Sequence, residues 1–359
     1  MTSAVVPSVA PETSGDAALA FLETVSQTFQ RAEAAAGEPI DRFYRIGGYI
    51  VRLRFASPAL LPLITPALGH LAIPPGSPSA LTVCLWDSAS TGTKMPSPPW
   101  STGDYIARGE VCGYSDRRIE TAFHIGADAL SILDKERDLA FFWVRDARRL
   151  PYYESGAPLR AILHWWMRDH GRQLVHAGAI GTSAGGVLLV GKGGSGKSTT
   201  TLACLGSKLL YVSDDYCLLA QEPSPHAYSL YNSAKLDAGG IRRFPHLAPA
   251  ISNADRLRSE KALLFLRKLY PENIASGFPV RAILLPSITD NRETAWKPAS
   301  AAAALKALAP STLFQLSGAG DAAMAAMAAV VKQVPCYHLE LGTDVGKMPD
   351  IILGLLARS

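Results

Sequence analysis

Residues 185–203 have the sequence GGVLLVGKGGSGKSTTTLA, and this stretch decides the fold prediction. The apolar run at 185–190 is bounded by glycines, which predicts a short buried strand. It leads directly into the pattern G-x-x-x-x-G-K-[ST], and a helix is predicted after it. Glycines let the backbone fold tightly, so that successive N–H groups point inward at phosphate oxygens. The sequence therefore predicts a nucleotide or phosphate site on an α/β fold.

The predicted nucleotide-binding loop has nine consecutive residues, namely Gly191, Lys192, Gly193, Gly194, Ser195, Gly196, Lys197, Ser198 and Thr199. In this pattern the lysine reaches the β- and γ-phosphates, which assigns that task to Lys197. The hydroxyl of the next residue, Ser198, is expected to bind Mg²⁺. The predicted cofactors are therefore Mg²⁺ and ATP, or another nucleoside triphosphate.

Two adjacent carboxylates follow the loop. Residues 209–215, LLYVSDD, predict a strand that ends in Asp214 and Asp215. In the usual parallel arrangement this strand ends at the sheet edge that carries the loop, so both aspartates are expected beside the γ-phosphate. Successive strand residues face opposite ways, and we therefore expect one carboxylate to meet an acceptor hydroxyl and the other to face Mg²⁺. Upstream, His176 lies in another predicted strand at residues 173–180.

His176, the loop and the Asp214–Asp215 pair, in this order, resemble the HPr kinase/phosphorylase family over residues 159–219 and more loosely to residue 342. The resemblance implies a phosphate-loop kinase core with a mixed sheet, akin to phosphoenolpyruvate carboxykinase. It also implies transfer of phosphate to a serine hydroxyl on a partner protein. By position, His176 would interact with Asp214, the base toward the serine. Asp215 would belong to the metal and phosphate region, with Ser198.

The front half resembles the extended HPr-kinase-related proteins that accompany clusters for ribosomally made peptides, including lasso peptides. This resemblance implies a precursor peptide as the acceptor, and the family resemblance also implies a homo-oligomer. The sequence departs from the regulatory enzymes, because their Glu-x-Arg-Gly segment has no clean match. The corresponding residues 231–237, YNSAKLD, contain no glutamate, which argues against HPr itself as substrate and against reverse phosphorolysis. Lys235 either replaces the arginine as a phosphate-charge partner or lies on the surface.

A length of 359 residues predicts two domains. Residues 1–15 predict a disordered lead-in, residues 16–152 an α+β accessory domain for acceptor recognition, and residues 153–359 the catalytic domain. Within the accessory domain we expect a helix at 16–36, two strands within 42–55 and a long exposed loop at 90–103. Four arginines there are spaced for a strand pair and either meet an acidic peptide or are solvated: Arg42, Arg45, Arg52 and Arg54.

Composition excludes several classes of protein. The net charge is only +4, and Lys and Arg are spread along the chain, which argues against a nucleic-acid groove. The longest uncharged apolar stretch, residues 322–331, is half of the ~20 residues that a membrane helix needs. The 5 cysteines contain no C-x-x-C pair, so we expect reduced thiols and a cytoplasmic protein without membrane contact.

Two alternatives to a kinase remain at this stage. Residues 192–198, KGGSGKS, also match the deviant loop of dimerising partition ATPases, in which an additional lysine (here Lys192) reaches across the dimer. In those proteins, however, the loop follows the first strand, near the N-terminus. The other alternative is a catalytically idle adaptor that only binds nucleotide. Dimerisation driven by ATP alone would distinguish the ATPase from the kinase.

Overall fold

The computed structural model describes residues 15–106 and 108–358. The predicted disordered lead-in lies outside these residues, apart from Gly15, which begins the first helix. The helices are α1 Gly15–Ala36, α2 Leu61–Leu68, α3 Ser88–Thr91, α4 Tyr152–Gly156, α5 Arg160–Asp169, α6 Lys197–Ala203, α7 Ala238–Arg243, α8 Ala301–Leu313, α9 Asp321–Gln333 and α10 Met348–Leu356. The strands of the front half are β1 Ile40–Ile46, β2 Tyr49–Phe55, β3 Ala72–Ile73, β4 Leu81–Asp87, β5 Ile119–His124, β6 Ala129–Asp134 and β7 Leu139–Val144. The later strands are β8 Gln173–His176, β9 Gly178–Thr182, β10 Gly185–Leu189, β11 Leu210–Ser213, β12 Tyr216–Ala220, β13 His226–Ser229, β14 Ser233–Leu236, β15 Ala262–Phe265, β16 Gly277–Ile288, β17 Ala295–Ala299 and β18 Cys336–Leu341.

The front half forms a mixed sheet of seven strands in the order β3-β1-β2-β4-β7-β6-β5. Its first hairpin turns at Gly47 and Gly48, both with positive φ. The apolar stripe of α1, including Phe21 and Phe29, packs with Trp86 on one face of this sheet. The predicted helix at 16–36 and the predicted strand pair within 42–55 are both confirmed.

The predicted exposed loop at 90–103 is wrong at both ends, because residues 90 and 91 belong to α3 and Trp100 is buried. Trp100 is only 8% exposed, and its ring packs edge-on against Phe21 with the centroids 4.9 Å apart. The indole also donates a hydrogen bond to the Tyr105 hydroxyl at 2.9 Å. A large apolar side chain thus anchors this segment onto α1, because its burial outweighs the turn-forming composition around it.

The second sheet carries the predicted loop. Its order is β11-β9-β10-β16-β13-β12-β8, and β18 pairs with β16 and β17. Strands β10, β16 and β18 are parallel, so their carboxyl ends share one edge. Strand β11 ends at this edge too, because β10 and β11 both pair antiparallel with β9, which lies between them. The fold is therefore mixed α/β, and the predicted strand, loop and helix around Gly191 are present.

Two predicted strands are bent. The single strand expected at 173–180 is divided at Ala177 into β8 and β9, which pair with different neighbours. The strand expected at 209–215 ends at Ser213, and a two-residue bend separates it from β12. The pairings of Ser213 with Ala179 and of Tyr216 with His176 place the two bends side by side. Both predicted aspartates lie in the second bend, beside His176.

The two halves share one hydrophobic core. Helix α5 contributes Trp165 and Trp166, which lie in the same cluster as Leu53 and Phe142 of the front sheet and Leu218 of β12. The domain boundary at 152/153 stays a prediction, and both tryptophans are buried core residues. Within residues 15–106 and 108–358, no helix combines the length and the apolar character that crossing a membrane requires.

Candidate active site

The loop between β10 and α6 is shaped by its glycines. Gly194 and Gly196 have φ values of +79° and +104°, a left-handed conformation that side chains rarely adopt. The loop then enters α6 at Lys197, a residue that is only 6% exposed. The Lys197 ammonium donates to the carbonyl oxygens of Gly191 at 2.7 Å and of Lys192 at 3.3 Å. Burial lowers the pKa of Lys197, while the nearby Asp215 and Asp214 oppose this effect.

Asp214 faces helix α6. It is 3% exposed, and its Oδ1 accepts a hydrogen bond from the Thr201 hydroxyl at 2.9 Å. The Ser198 hydroxyl lies close to it as well and favours its charged form. Burial and the negative charge of Asp215 raise the pKa of Asp214, and the two hydroxyls with Lys197 only partly offset this. Within the part of the chain that the structure describes, Asp214 is thus a buried carboxylate without a directly paired cation.

Asp215 faces the opposite way and has two close partners. His176 Nε2 lies 2.8 Å from its Oδ1, and the Lys235 ammonium lies 2.8 Å from its Oδ2. Burial alone would raise the pKa of Asp215, but Lys235 and His176 outweigh it and hold this pKa well below its usual range. Asp215 therefore stays ionised at physiological pH.

The prediction that His176 contacts Asp214 is wrong. His176 pairs across the sheet with Tyr216, which places it next to Asp215. The two aspartates do face opposite ways, as expected, but the direction of each depends on the bend between β11 and β12. Motif order along the chain does not determine that direction. Lys235, which the sequence left open between a charge partner and a surface residue, lies in the site on strand β14.

These groups line one cleft of about 510 Å³, here called the loop cleft. Nine of the predicted residues line it: His176, Gly193, Gly194, Gly196, Lys197, Ser198, Thr199, Asp214 and Asp215. The other three, Gly191, Lys192 and Ser195, line a separate groove on the outer side of the loop. The loop residues thus divide between two neighbouring depressions.

Sequence reasoning missed several residues of the loop cleft, among them three with polar or charged side chains. Tyr152, Arg243 and Lys261 come from distant segments, and no local motif marks them. The Arg243 guanidinium donates to the Thr199 hydroxyl at 3.4 Å, which places a positive charge at the end of the loop.

In contrast, two of the front-half arginines already have acidic partners. Arg52 lies 2.7 Å from Asp41, and Arg54 pairs with Glu33.

The donor set fits Mg²⁺ bound together with a nucleotide. No cluster of three or more His, Cys, Asp or Glu side chains suited to a metal occurs among residues 15–106 and 108–358. Mg²⁺ usually binds through one or two carboxylates, waters and substrate phosphates rather than in an all-protein cage. Ser198, in the first turn of α6, and Asp214, which faces this helix without a paired cation among the described residues, supply this kind of partial site.

Comparison with known proteins gives little beyond this geometry. No family model matches the chain, and no curated protein matches it. Among solved structures, the HPr(Ser) kinase/phosphatase from Coxiella burnetii is similar, at 14% sequence identity over 52% of this chain and 95% of that chain, with a TM-score of 0.28. At so low a TM-score, neither the fold nor the activity of that enzyme is carried over to this chain. The family resemblance and its lasso-peptide branch therefore stay predictions.

Proposed function

We propose that this protein is a Mg²⁺-dependent kinase that transfers the γ-phosphate of ATP, or of another nucleoside triphosphate, to a serine hydroxyl of a peptide or protein. The observation that carries the proposal is that the two adjacent aspartates face opposite ways and have different partners. Asp214 is turned toward Ser198 of the loop, while Asp215 is open to the cleft and held by His176 and Lys235. A lasso precursor peptide is the narrower candidate for the acceptor.

In this proposal the roles of the aspartates are exchanged relative to the family-based prediction. Ser198 and Asp214 would hold Mg²⁺, which when bound neutralises charge on the phosphates. Lys197, freed from the loop carbonyls, would pair with the β- and γ-phosphates. Asp215 would accept a hydrogen bond from the serine hydroxyl, since each carboxylate oxygen has room for a further donor.

The transfer step forms a bond between the serine oxygen and the γ-phosphorus and breaks the bond to the β-phosphate oxygen. The serine proton passes to Asp215, and the nucleoside diphosphate leaves. A carboxylate with a lowered pKa is a weak base, but phosphoryl transfer has a loose transition state and depends mainly on positioning. Asp215 therefore orients the hydroxyl first and accepts its proton as the new bond forms.

Two further parts of the proposal are a cytoplasmic location and a homo-oligomeric assembly. The cysteines lie within the described residues as free thiols, all of them buried except Cys112, which agrees with a reducing cytoplasm. A homo-oligomer remains part of the proposal on the family resemblance alone.

The direct test uses γ-labelled ATP, Mg²⁺ and a library of serine-containing peptides. We expect label on serine with the wild type and a loss of about 10²–10³-fold in Lys197→Ala, the size seen when one preorganised charge is removed. Peptides with alanine in place of serine are the control. Nucleotide-driven dimerisation without labelled peptide would instead favour the partition-type ATPase, and binding without turnover would favour the adaptor.

A further inference from the structure

An apolar groove of about 570 Å³ lies against the outer side of the loop. Its walls are the loop residues 190–195, the end of β16 and the last turns of α8. Two large apolar side chains on its lining are open to solvent, with Ile288 64% exposed and Phe314 79% exposed. Exposed apolar patches of this kind mark binding surfaces more often than chance on a folded protein. We call it the apolar groove.

The position of the groove along the loop indicates what it serves. It shares Gly193, Gly194 and Ile288 with the loop cleft, so the two depressions adjoin. Helix α8, which forms its wall, also contacts the catalytic end, because the Thr312 hydroxyl accepts a hydrogen bond from the His176 backbone N–H at 3.1 Å. The groove therefore opens beside the end of the loop where His176 and Asp215 lie.

The nucleotide is expected to extend the other way. Lys197 and Ser198 serve the terminal phosphates in this motif, so the rest of the nucleotide passes Thr199 toward Arg243. A further cleft continues in that direction, between Thr199, Arg243 and Thr343, and it shares only Ile288 with the apolar groove. The apolar groove is thus left on the acceptor side of the transferred phosphate.

We propose that the apolar groove binds a large apolar side chain of the acceptor peptide, close in sequence to the phosphorylated serine. This inference rests on the proposed kinase function and adds the class of its acceptor. Lys192 and Lys306 lie on the groove and are exposed, so their charge complements acidic residues that flank the apolar one. The acceptor is then an acidic peptide with a phenylalanine- or leucine-sized anchor.

The test compares two libraries of peptides with a central serine. In one library a flanking position is phenylalanine and in the other it is alanine, with the remaining positions randomised. Ala307 of α8 lines the groove and is half-buried, so Ala307→Trp fills the groove. The matched control is Ala302→Trp, the same substitution at an exposed position of the same helix.

We expect the wild type to prefer the phenylalanine library about 10- to 100-fold in kcat/KM, the range that burial of one large apolar side chain produces. Ala307→Trp should abolish this preference and leave ATP affinity unchanged, while Ala302→Trp should keep it. Equal use of both libraries by the wild type, or equal loss in both variants, would overturn the groove as the acceptor site while leaving the kinase intact.

A binding measurement separates failure of the groove from failure of the kinase. Fluorescein-labelled peptides with alanine in place of serine are followed by anisotropy. If Ala307→Trp loses binding of the phenylalanine peptide although no variant transfers phosphate, the groove stands and the kinase fails. A loss of ATP affinity in Ala307→Trp would assign the groove to the nucleobase. Dissociation of an oligomer by Phe314→Ser, with peptide binding intact, would assign it to a second copy, and either result overturns the proposal.

Discussion

Asp134 in the front half and Asp214 in the second half are both buried, and they are neutralised very differently. Asp134, at the end of β6 in the front sheet, is fully buried and paired with the Arg118 guanidinium, with an Nη2–Oδ2 distance of 2.8 Å. Burial raises its pKa, but Arg118 and the backbone N–H groups of Glu136 and Arg137 outweigh this, and its pKa lies below the ordinary value. Asp214 is bonded by hydroxyls, and its pKa is raised.

This difference separates Asp134, a carboxylate neutralised within the fold, from Asp214, the candidate metal ligand. A buried charge needs a partner, and Asp134 finds it within the fold. Asp214 has no directly paired cation among residues 15–106 and 108–358, and it faces the helix that follows the predicted phosphate loop, so its missing positive charge is one that a ligand would bring. Asp215 shares a feature with each of the other two aspartates. Like Asp134 it has cationic partners, which keep it ionised, and like Asp214 it lines the loop cleft.

The largest effect is expected at Asp215. Asp215→Asn removes the negative charge that orients and deprotonates the serine, a contribution typically worth ~10²–10⁴-fold. We expect transfer to fall at least ~100-fold, while ATP–Mg²⁺ binding stays within about threefold because Lys197, Ser198 and Asp214 remain. Single-turnover transfer and nucleotide binding are measured in parallel.

His176→Ala serves as the companion variant to Asp215→Asn. His176 acts only through Asp215, so its loss should cost less, and the double variant should cost less than the sum of the two. The opposite outcome would be full transfer by Asp215→Asn and loss of transfer in Asp214→Asn, at unchanged Mg²⁺ dependence. It would restore the roles that the family resemblance implied.

A second test compares the same substitution at Asp214 and at Asp134. Asp214→Asn should raise the Mg²⁺ concentration needed for transfer by roughly 10- to 100-fold, the usual cost of a weakened metal site, and should leave stability unchanged or higher. Asp134→Asn should do the reverse. It removes the buried partner of Arg118, which keeps only the exposed Glu136, and should cost about 2 kcal/mol of unfolding free energy without changing transfer.

Mg²⁺ titrations and urea unfolding of both variants check this crossed pattern. The same pair of measurements on both variants makes each the control for the other. If Asp214→Asn is the one that loses stability and its Mg²⁺ dependence is unchanged, Asp214 is structural and the comparison between the two carboxylates fails.

The sequence predicted local features well and long-range ones poorly. The glycine loop, the strand before it and helix α1 follow from residues close together in the chain, so pattern alone identifies them. The partner of His176 depends on the register of β8 with β12, which no local pattern encodes. Lys235 reaches Asp215 from β14, and Arg243 reaches Thr199 from α7, so both contacts require the folded sheet.

A third test asks whether the two halves unfold together. His70 of the front half lies 2.7 Å from the Ser229 hydroxyl and accepts a hydrogen bond from the Asn232 amide, which joins it to the second half as a neutral ring. Burial, with the Arg267 charge, lowers the pKa of His70 from 6.5 to about 3. Its contribution to stability is therefore complete above pH 6.5 and is lost as the pH falls toward 3.

Between pH 4 and 6 the unfolded wild type binds about one proton at His70 that the folded protein does not bind. His70→Gln removes this difference. The slope of unfolding free energy against pH should therefore fall by about 1.4 kcal/mol per pH unit. Urea unfolding at several pH values measures this slope. His246→Gln, at an exposed position, is the control and should leave the slope unchanged. Equal slopes in wild type and His70→Gln would show that this contact does not hold the halves together.

The smallest effect is expected at Lys192, and it separates the kinase from the partition-type ATPase. The Lys192 side chain is exposed, and only its backbone carbonyl contacts Lys197. Exposed charges contribute roughly 0–1 kcal/mol, so Lys192→Ala should change kcat/KM by no more than about fivefold. Lys306→Ala, on the other side of the apolar groove, should behave in the same way and is the matched control. In a partition-type ATPase the additional lysine would reach across a dimer, and its loss would abolish ATP-driven dimerisation and turnover while Lys306→Ala changed neither. Sedimentation with ATP, alongside peptide transfer, therefore decides between them.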